Sequence, residues 1–286
     1  MNPELLFYAY ALFGLIIGSF LNVCIYRIPL GKSVVFPGSG CPHCGRSIRF
    51  FDNIPVLSYL LLRGKCRSCN EPISMQYPIV ELLTAVAFYA CARTWNFAPP
   101  TFVNSLFLAV VIILIFTDYN HRILPNVLTL PGTIAGILLS PFQSPPAGQL
   151  SSYYSDRLSA IAAGLLFPGN PGAALPWVGS VLGAIFGGGS LLVVGLGYMK
   201  LRKKQGLGMG DVKMMAMVGA FMGFYLAFLT IFFGSLLGLV VGVYLILFRK
   251  MNLQTKLAFG VFLGISAAIS LFYGLPFLGW YFGFYR

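Results

Sequence analysis

Only seven acidic residues occur in 286 positions, and two of them, Asp118 and Asp211, stand where long apolar runs give way to short loops. Asp118 opens the loop Asp118-Tyr119-Asn120-His121-Arg122-Ile123-Leu124-Pro125-Asn126. Asp211 lies in Gly208-Met209-Gly210-Asp211-Val212-Lys213, after the basic residues Lys200, Arg202, Lys203 and Lys204. A carboxylate at the edge of hydrocarbon is costly unless it is paired, hydrated or protonated. Glycine on both approaches to Asp211 lets a backbone come close, because no Cβ stands in the way. Two such acids brought together can divide labour: one draws a proton from water while the other protonates or polarises a carbonyl. That is the arrangement of an aspartic protease. Taken singly, Asp118 also fits a hydrated helix end and Asp211 a helix N-cap.

A second constellation lies in residues 27–78, a polar and basic stretch containing Cys41-Pro42-His43-Cys44 and Cys66-Arg67-Ser68-Cys69. Two C-x-x-C hooks at this separation predict one tetrahedral zinc ion held by Cys41, Cys44, Cys66 and Cys69, with the metal replacing a hydrophobic core the loop is too small to build. A structural role is the default for such a site. His43, inside a hook, is an alternative ligand, whereas His121 is read as a solvated loop residue. Cys24 and Cys91 fall in apolar segments without hook partners and are assigned no chemistry.

The elements that must position these groups are membrane helices. A chain with 58% hydrophobic and 9% charged residues and a mean hydropathy of +0.83 is not an ordinary soluble domain, where about a quarter of residues are charged. Apolar runs at 5–25, 79–95, 102–117, 127–142, 175–199, 212–226, 229–248 and 258–273 predict an all-α polytopic protein of about eight transmembrane helices. The expected organisation is a first helix over 1–26, a four-cysteine domain over 27–78 and a multi-helix domain over 79–286. The first run has no basic leader before it and is expected to stay as a helix. With the N-terminus outside, 16 of the 19 Lys and Arg residues fall in loops on the inner side, as the positive-inside rule requires. Both aspartates then face the cytosol. The net charge of +12 is a topological signal, and no nucleic-acid partner is expected because the basic residues are not gathered on one soluble face.

These motifs resemble the type IV prepilin peptidases over nearly the whole chain. The resemblance is carried by Gly18-Ser19-Phe20-Leu21-Asn22-Val23-Cys24-Ile25-Tyr26-Arg27-Ile28-Pro29, the four-cysteine loop with Asp52-Asn53-Ile54-Pro55, Tyr77-Pro78-Ile79-Val80-Glu81, Asp118 with Leu124-Pro125-Asn126, and Gly208 to Lys213. It implies a GxGD-type membrane aspartic protease of the bacterial inner membrane. Such an enzyme removes the short basic leader of type IV prepilins or type II secretion pseudopilins at the cytosolic face, cutting after a glycine. It also implies, in many members, methylation of the new N-terminal amine with S-adenosylmethionine. On that resemblance the catalytic residues are Asp118 and Asp211, the partners are prepilin substrates and membrane lipid, and the cofactors are structural zinc and S-adenosylmethionine.

Two departures from the pattern stand out. Lys256-Leu257-Ala258-Phe259-Gly260-Val261-Phe262-Leu263 lacks the prolines usual there, and residues 141–176, rich in Pro, Gly and Ser, form a longer connection that is expected to be an outside loop. If Asp118 occupies the last turn of its helix and Asp211 the first turn of the next, Asp118 is expected to hold the shared proton and Asp211 to act on water. Lys213 is read as snorkelling. No G-x-G-x-x-G loop locates the methyl donor; Glu81 is the candidate for the substrate amine, against a reading as first-turn dipole complement. Glycine rows at 179, 183, 187 and at 234, 238, 242 are read as helix packing. An ion-coupled transporter is a rival reading, as is a non-catalytic assembly scaffold. The first predicts inverted repeats and acids at mid-membrane, which the sequence does not show.

Overall fold

A computed structural model describes residues 3–143, 157–203, 206–249 and 257–283, and within them the protein is helical, without strands. Lys204, Lys250, Lys256, Arg286 and residues 144–156 of the long connection lie outside this description. The chain divides into two compact units, Met1–Ile113 and Leu114–Arg286.

In the first unit, α1 (Pro3–Arg27) packs on α3 (Gln76–Trp95), with the short α2 (Leu57–Leu61) between them in sequence. Glycine makes the α1–α3 approach possible. A Cβ at Gly14 would lie 2.9 Å from Ala85 Cα, and one at Gly18 would lie 2.6 Å from Glu81 Cα, so this small-x-x-x-small pair sets the backbone separation. The start of α4 (Pro99–His121) completes the unit, and the Tyr10 hydroxyl donates to Ser105 Oγ at 3.0 Å.

The second unit contains the end of α4, α5 (Asn126–Leu139), α6 (Arg157–Leu166), α7 (Pro171–Arg202), α8 (Met209–Arg249) and α9 (Phe259–Phe282). The expected loop over 141–176 therefore contains a helix of its own and the start of α7, which Asn170 caps by accepting from Ala173 N–H at 3.2 Å. Helix α8 is interrupted at Gly223, whose φ of 72° and ψ of −175° are essentially confined to glycine. The carbonyls one turn before the break accept from side chains: Ala220 from Ser180 Oγ at 2.7 Å and Phe221 from Gln143 Nε2 at 3.0 Å. In an apolar bundle such backbone oxygens need a protein donor. The first segment of α8 presses on α7 with almost no space between backbones. A Cβ at Gly183 would stand 2.2 Å from Gly219 O, and one at Gly187 would stand 2.3 Å from Met215 O. Gly234 faces Leu263 of α9 less tightly, a Cβ there lying 3.0 Å from the Leu263 side chain and 3.3 Å from its Cα, so Gly183, Gly187 and Gly234 of the two rows serve helix packing.

Among the described residues five helices are long and apolar enough to cross a membrane: Glu4–Leu30, Pro99–His121, Pro171–Arg202, Met209–Phe248 and Phe259–Tyr281. Each of the eight apolar runs falls on a helix, but three do not make a separate span by this measure. α3 carries Gln76, Glu81 and Arg93. α5 has 14 residues, about 21 Å of helix against a hydrocarbon core of about 30 Å. The runs 212–226 and 229–248 both belong to α8.

The α7–α8 contact yields a paired test. Gly183→Ala must push a methyl into backbone and is expected to cost about 1–3 kcal/mol, visible as a lower unfolding midpoint in detergent. Gly189→Ala, six residues along the same helix with nothing within 4 Å of its Cβ position, should leave the midpoint unchanged.

Candidate active site

Asp118 occupies the last turn of α4 and Asp211 the first turn of α8, and both are buried, at 6% and 8% exposure. Their partners are backbone amides. Asp118 Oδ2 accepts from Val261 N–H at 3.2 Å, and Gly260 N–H also donates to this carboxyl, so Asp118 is held by the first turn of α9. Asp211 is the third residue of α8 and accepts from the N–H of Gly208, while its own N–H donates to Gly208 O at 3.1 Å. An acid reaching back from the third helical position to the cap residue is one half of a capping box. The two carboxyls are near enough for the charge of Asp118 to act on Asp211.

Glycine and Leu124 set this approach. A Cβ at Gly260 would lie 2.9 Å from Asp118 Oδ2 and 3.0 Å from Leu124 Cδ1, and one at Gly210 would lie 2.9 Å from Leu124 Cβ. Leu124 is buried and thus fills the space between the starts of α8 and α9. The next residues of its motif also have visible work: Pro125 precedes α5 in an extended conformation, and Asn126 Oδ1 accepts from Lys213 Nζ at 2.9 Å. Lys213 is therefore engaged by Asn126, while His121 ends α4 as an exposed residue.

The contact to α9 was not expected from sequence. It changes the reasoning about proton placement, because the amides of α9 counter the unfavourable end of α4 at Asp118. Helix ends alone therefore do not divide the roles between the two acids. The signal that could have found Gly260 and Val261 was present, since they sit in the segment that departs from the family pattern.

Within the first unit, the four hook sulfurs of Cys41, Cys44, Cys66 and Cys69 lie within 4.8 Å of one another, and Cys41 Sγ is 3.8 Å from Cys69 Sγ. Four thiolates placed about 2.3 Å from a central ion in a tetrahedron are about 3.8 Å apart. The hooks are alike at a 25-residue offset. Cys41 N–H donates to Arg46 O as Cys66 N–H donates to Glu71 O, at 2.9 and 2.8 Å, and Gly45 and Asn70 both take positive φ, at 70° and 59°. Amides of Cys69 and Ser68 pull the Cys66 thiol down to about 6. The Glu71 amide donates to Cys69 as well, but desolvation and the neighbouring sulfurs outweigh it and push that thiol up to about 12. Sulfurs so crowded cannot all ionise unless a cation sits among them, so the donor set fits a divalent metal. His43 is not a member of the group. Asp52 accepts from Arg67 Nε at 2.9 Å and from its Nη2 at 2.6 Å, tying the second hook to the turn at 50–53, and the guanidinium holds the Asp52 carboxyl below the usual range.

Glu81, the remaining candidate, is the sixth residue of α3 and lies beyond its first turn, so dipole complementarity does not explain it. It is buried and accepts from Val56 N–H at 2.7 Å. Cys24 and Cys91 are buried within their helices.

A membrane-type helical bundle carrying two buried carboxyls at adjacent helix starts has the groups an aspartic hydrolase requires. Comparison with known proteins gives the class more sharply: the chain belongs to the type IV leader peptidase family. Residues 105–243 match the model described as the type IV leader peptidase family, and residues 12–95 match the bacterial peptidase A24 N-terminal domain. The chain is 32% identical to a prepilin leader peptidase/N-methyltransferase of Aeromonas hydrophila, covering 98% of this chain and 94% of that protein. It is 33% identical to one of Pseudomonas aeruginosa, covering 92% and 89%. A Myxococcus xanthus relative is 36% identical over 82% of this chain, which spans 61% of that protein's length. No solved structure matches. Neither the transporter nor the scaffold reading finds support in these relatives.

The hooks predict a measurable stoichiometry. The purified protein should carry one metal ion per chain by elemental analysis, and Cys66→Ser should lower that occupancy at least about tenfold at limiting metal, in the range of losses expected when a site is damaged.

Proposed function

We propose that this chain is a prepilin leader peptidase of the bacterial inner membrane, with Asp118 and Asp211 as its catalytic pair, and that it also N-methylates the trimmed product. The observation that carries the peptidase reading is the convergence of two buried carboxyls at the starts of α8 and α9, each held by backbone amides. Amide donors fix the orientation of each acid. The oxygens not so engaged can grip one water between them. One carboxyl takes a proton from that water as it attacks the scissile carbonyl, while the other, protonated, donates to the carbonyl oxygen. Collapse of the tetrahedral adduct then returns a proton to the leaving amine.

The remaining assignments are expectations with physical support. The concentration of Lys and Arg in alternate loops supports a topology of eight membrane segments, three of them formed by α3, α5 and the second segment of α8, with both acids and residues 27–78 facing the cytosol. A prepilin's apolar helix then lies against the bundle in lipid while its basic leader stays in the cytosol beside the acids. Zinc is the metal that suits four thiolates in a reducing compartment, where it would fold the lobe. Methyl transfer is supported by the names of the relatives, and S-adenosylmethionine would supply the methyl group.

The test is purified protein in nanodiscs with a leader-bearing prepilin, with and without S-adenosylmethionine, read by intact mass. Loss of leader mass and gain of one methyl are expected. Asp118→Asn and Asp211→Asn should each slow leader removal at least about 100-fold, the usual scale for loss of a general acid or base. Full-rate cleavage by either variant would remove the pair from the mechanism. Gly260→Val, which changes no ionisable group, should slow the same step by displacing the Asp118 carboxyl.

A further inference from the structure

Two short elements of the four-cysteine lobe place polar side chains inside and apolar ones outside, the reverse of a domain surrounded by water. Helix α2 packs on the turn at 50–53. Asp52, Ser58 and Tyr59 of these elements line a cavity between the lobe, the exit of α1 and the start of α3, and Asp52 is further tied to Arg67 at 2.6 Å. Phe50, Leu60 and Leu61 take no part in that lining and are exposed by 91%, 65% and 73%. Leu57, also exposed, precedes Leu60 and Leu61 by three and four residues and so shares a face of α2 with them. Large apolar side chains grouped on two touching elements mark a surface that another body covers.

Cations frame this stretch. Arg49 directly precedes Phe50, and Arg63 and Lys65 follow Leu61 by two and four residues. All three are exposed, and among the described residues none of them forms an ion pair. The Arg49 guanidinium lies 5.8 Å from the Phe51 ring centroid. Asp52 is the single acid between residues 49 and 65, and Arg67 has taken it. The stretch is therefore apolar in its middle and basic at both ends.

That combination suits a lipid surface, where apolar side chains enter the acyl boundary while long basic side chains extend to the phosphates. A prepilin with its basic leader would match the apolar middle and be repelled by the cations. Chain connectivity agrees with the lipid. The lobe begins where α1, long and apolar enough to cross a membrane, ends, and it returns to α3, which packs on α1.

We propose that the outer face of α2 and the turn at 50–53 is an interfacial anchor that seats the four-cysteine lobe on an anionic leaflet of the membrane. Phe50, Leu60 and Leu61 enter the acyl boundary, and Arg49, Arg63 and Lys65 meet the lipid phosphates. This contact is independent of the peptidase and methyl-transfer readings.

The test is spin labelling of the full chain in nanodiscs that hold one copy each. A nitroxide is attached at Leu61, and in a second preparation at Phe50, through an encoded ketone side chain that leaves the cysteines untouched. Its collisions with dissolved oxygen, which concentrates in lipid, are compared with its collisions with a water-soluble nickel chelate. In discs containing phosphatidylglycerol, oxygen is expected to outweigh nickel at both positions. Arg63→Gln combined with Lys65→Gln should shift the balance toward nickel, the docked-to-free ratio falling about fivefold for each charge removed. Raising the salt should shift the labelled wild type in the same direction. Metal content is measured on every sample, and should the double variant lose its metal, the salt titration decides. Nickel outweighing oxygen at either label overturns the proposal, as does a balance that salt, or the variant with its metal retained, leaves unmoved. A label shielded from nickel only after a prepilin is added would assign the face to the substrate helix and overturns it too.

Discussion

Two carboxyls buried in an apolar bundle must have donors, and here the donors are the unpaired amides of helix first turns. Asp118 is served by Gly260 and Val261 at the start of α9, and Asp211 by Gly208 at the start of its own helix. The first amides of a helix have no intrahelical acceptor, so they offer hydrogen bonds and partial positive charge together. The surrounding architecture serves this constraint: Gly260 and Gly210 leave room for Leu124, and Leu124 fills the space between the two helix starts.

Much of this was legible in the chain because rare residue types carried it. Seven acids in 286 residues make Asp118 and Asp211 conspicuous, and two C-x-x-C hooks specify their own geometry. The helices were legible from apolar runs, although not their division into spans, since α5 is short and α8 joins two runs without a polar interruption. What escaped was backbone work. Nothing in the residue type of Val261 announces that its amide holds Asp118. Gly223 is one glycine among 33, and only its dihedral angles mark it as the break in α8. α6 was missed because Pro, Gly and Ser around it outweigh a ten-residue helical stretch.

The first unit follows a related logic with a different solution. Its lobe has no apolar core of its own, and the hooks gather four sulfurs that cannot ionise together without a cation. Two similar turns, 25 residues apart, carry the two pairs of sulfurs. The same lobe places the Val56 amide against Glu81 of α3.

The break at Gly223 separates two kinds of mechanical load. Before it, fourteen residues of α8 are registered against α7 through Gly183 and Gly187; after it, the helix runs on for some 26 residues to Arg249. Long hydrophobic helices answer a thicker or thinner bilayer by tilting. Gly223 therefore divides α8 into a segment that bears Asp211 and is seated on α7 and a longer segment whose direction that seat does not fix.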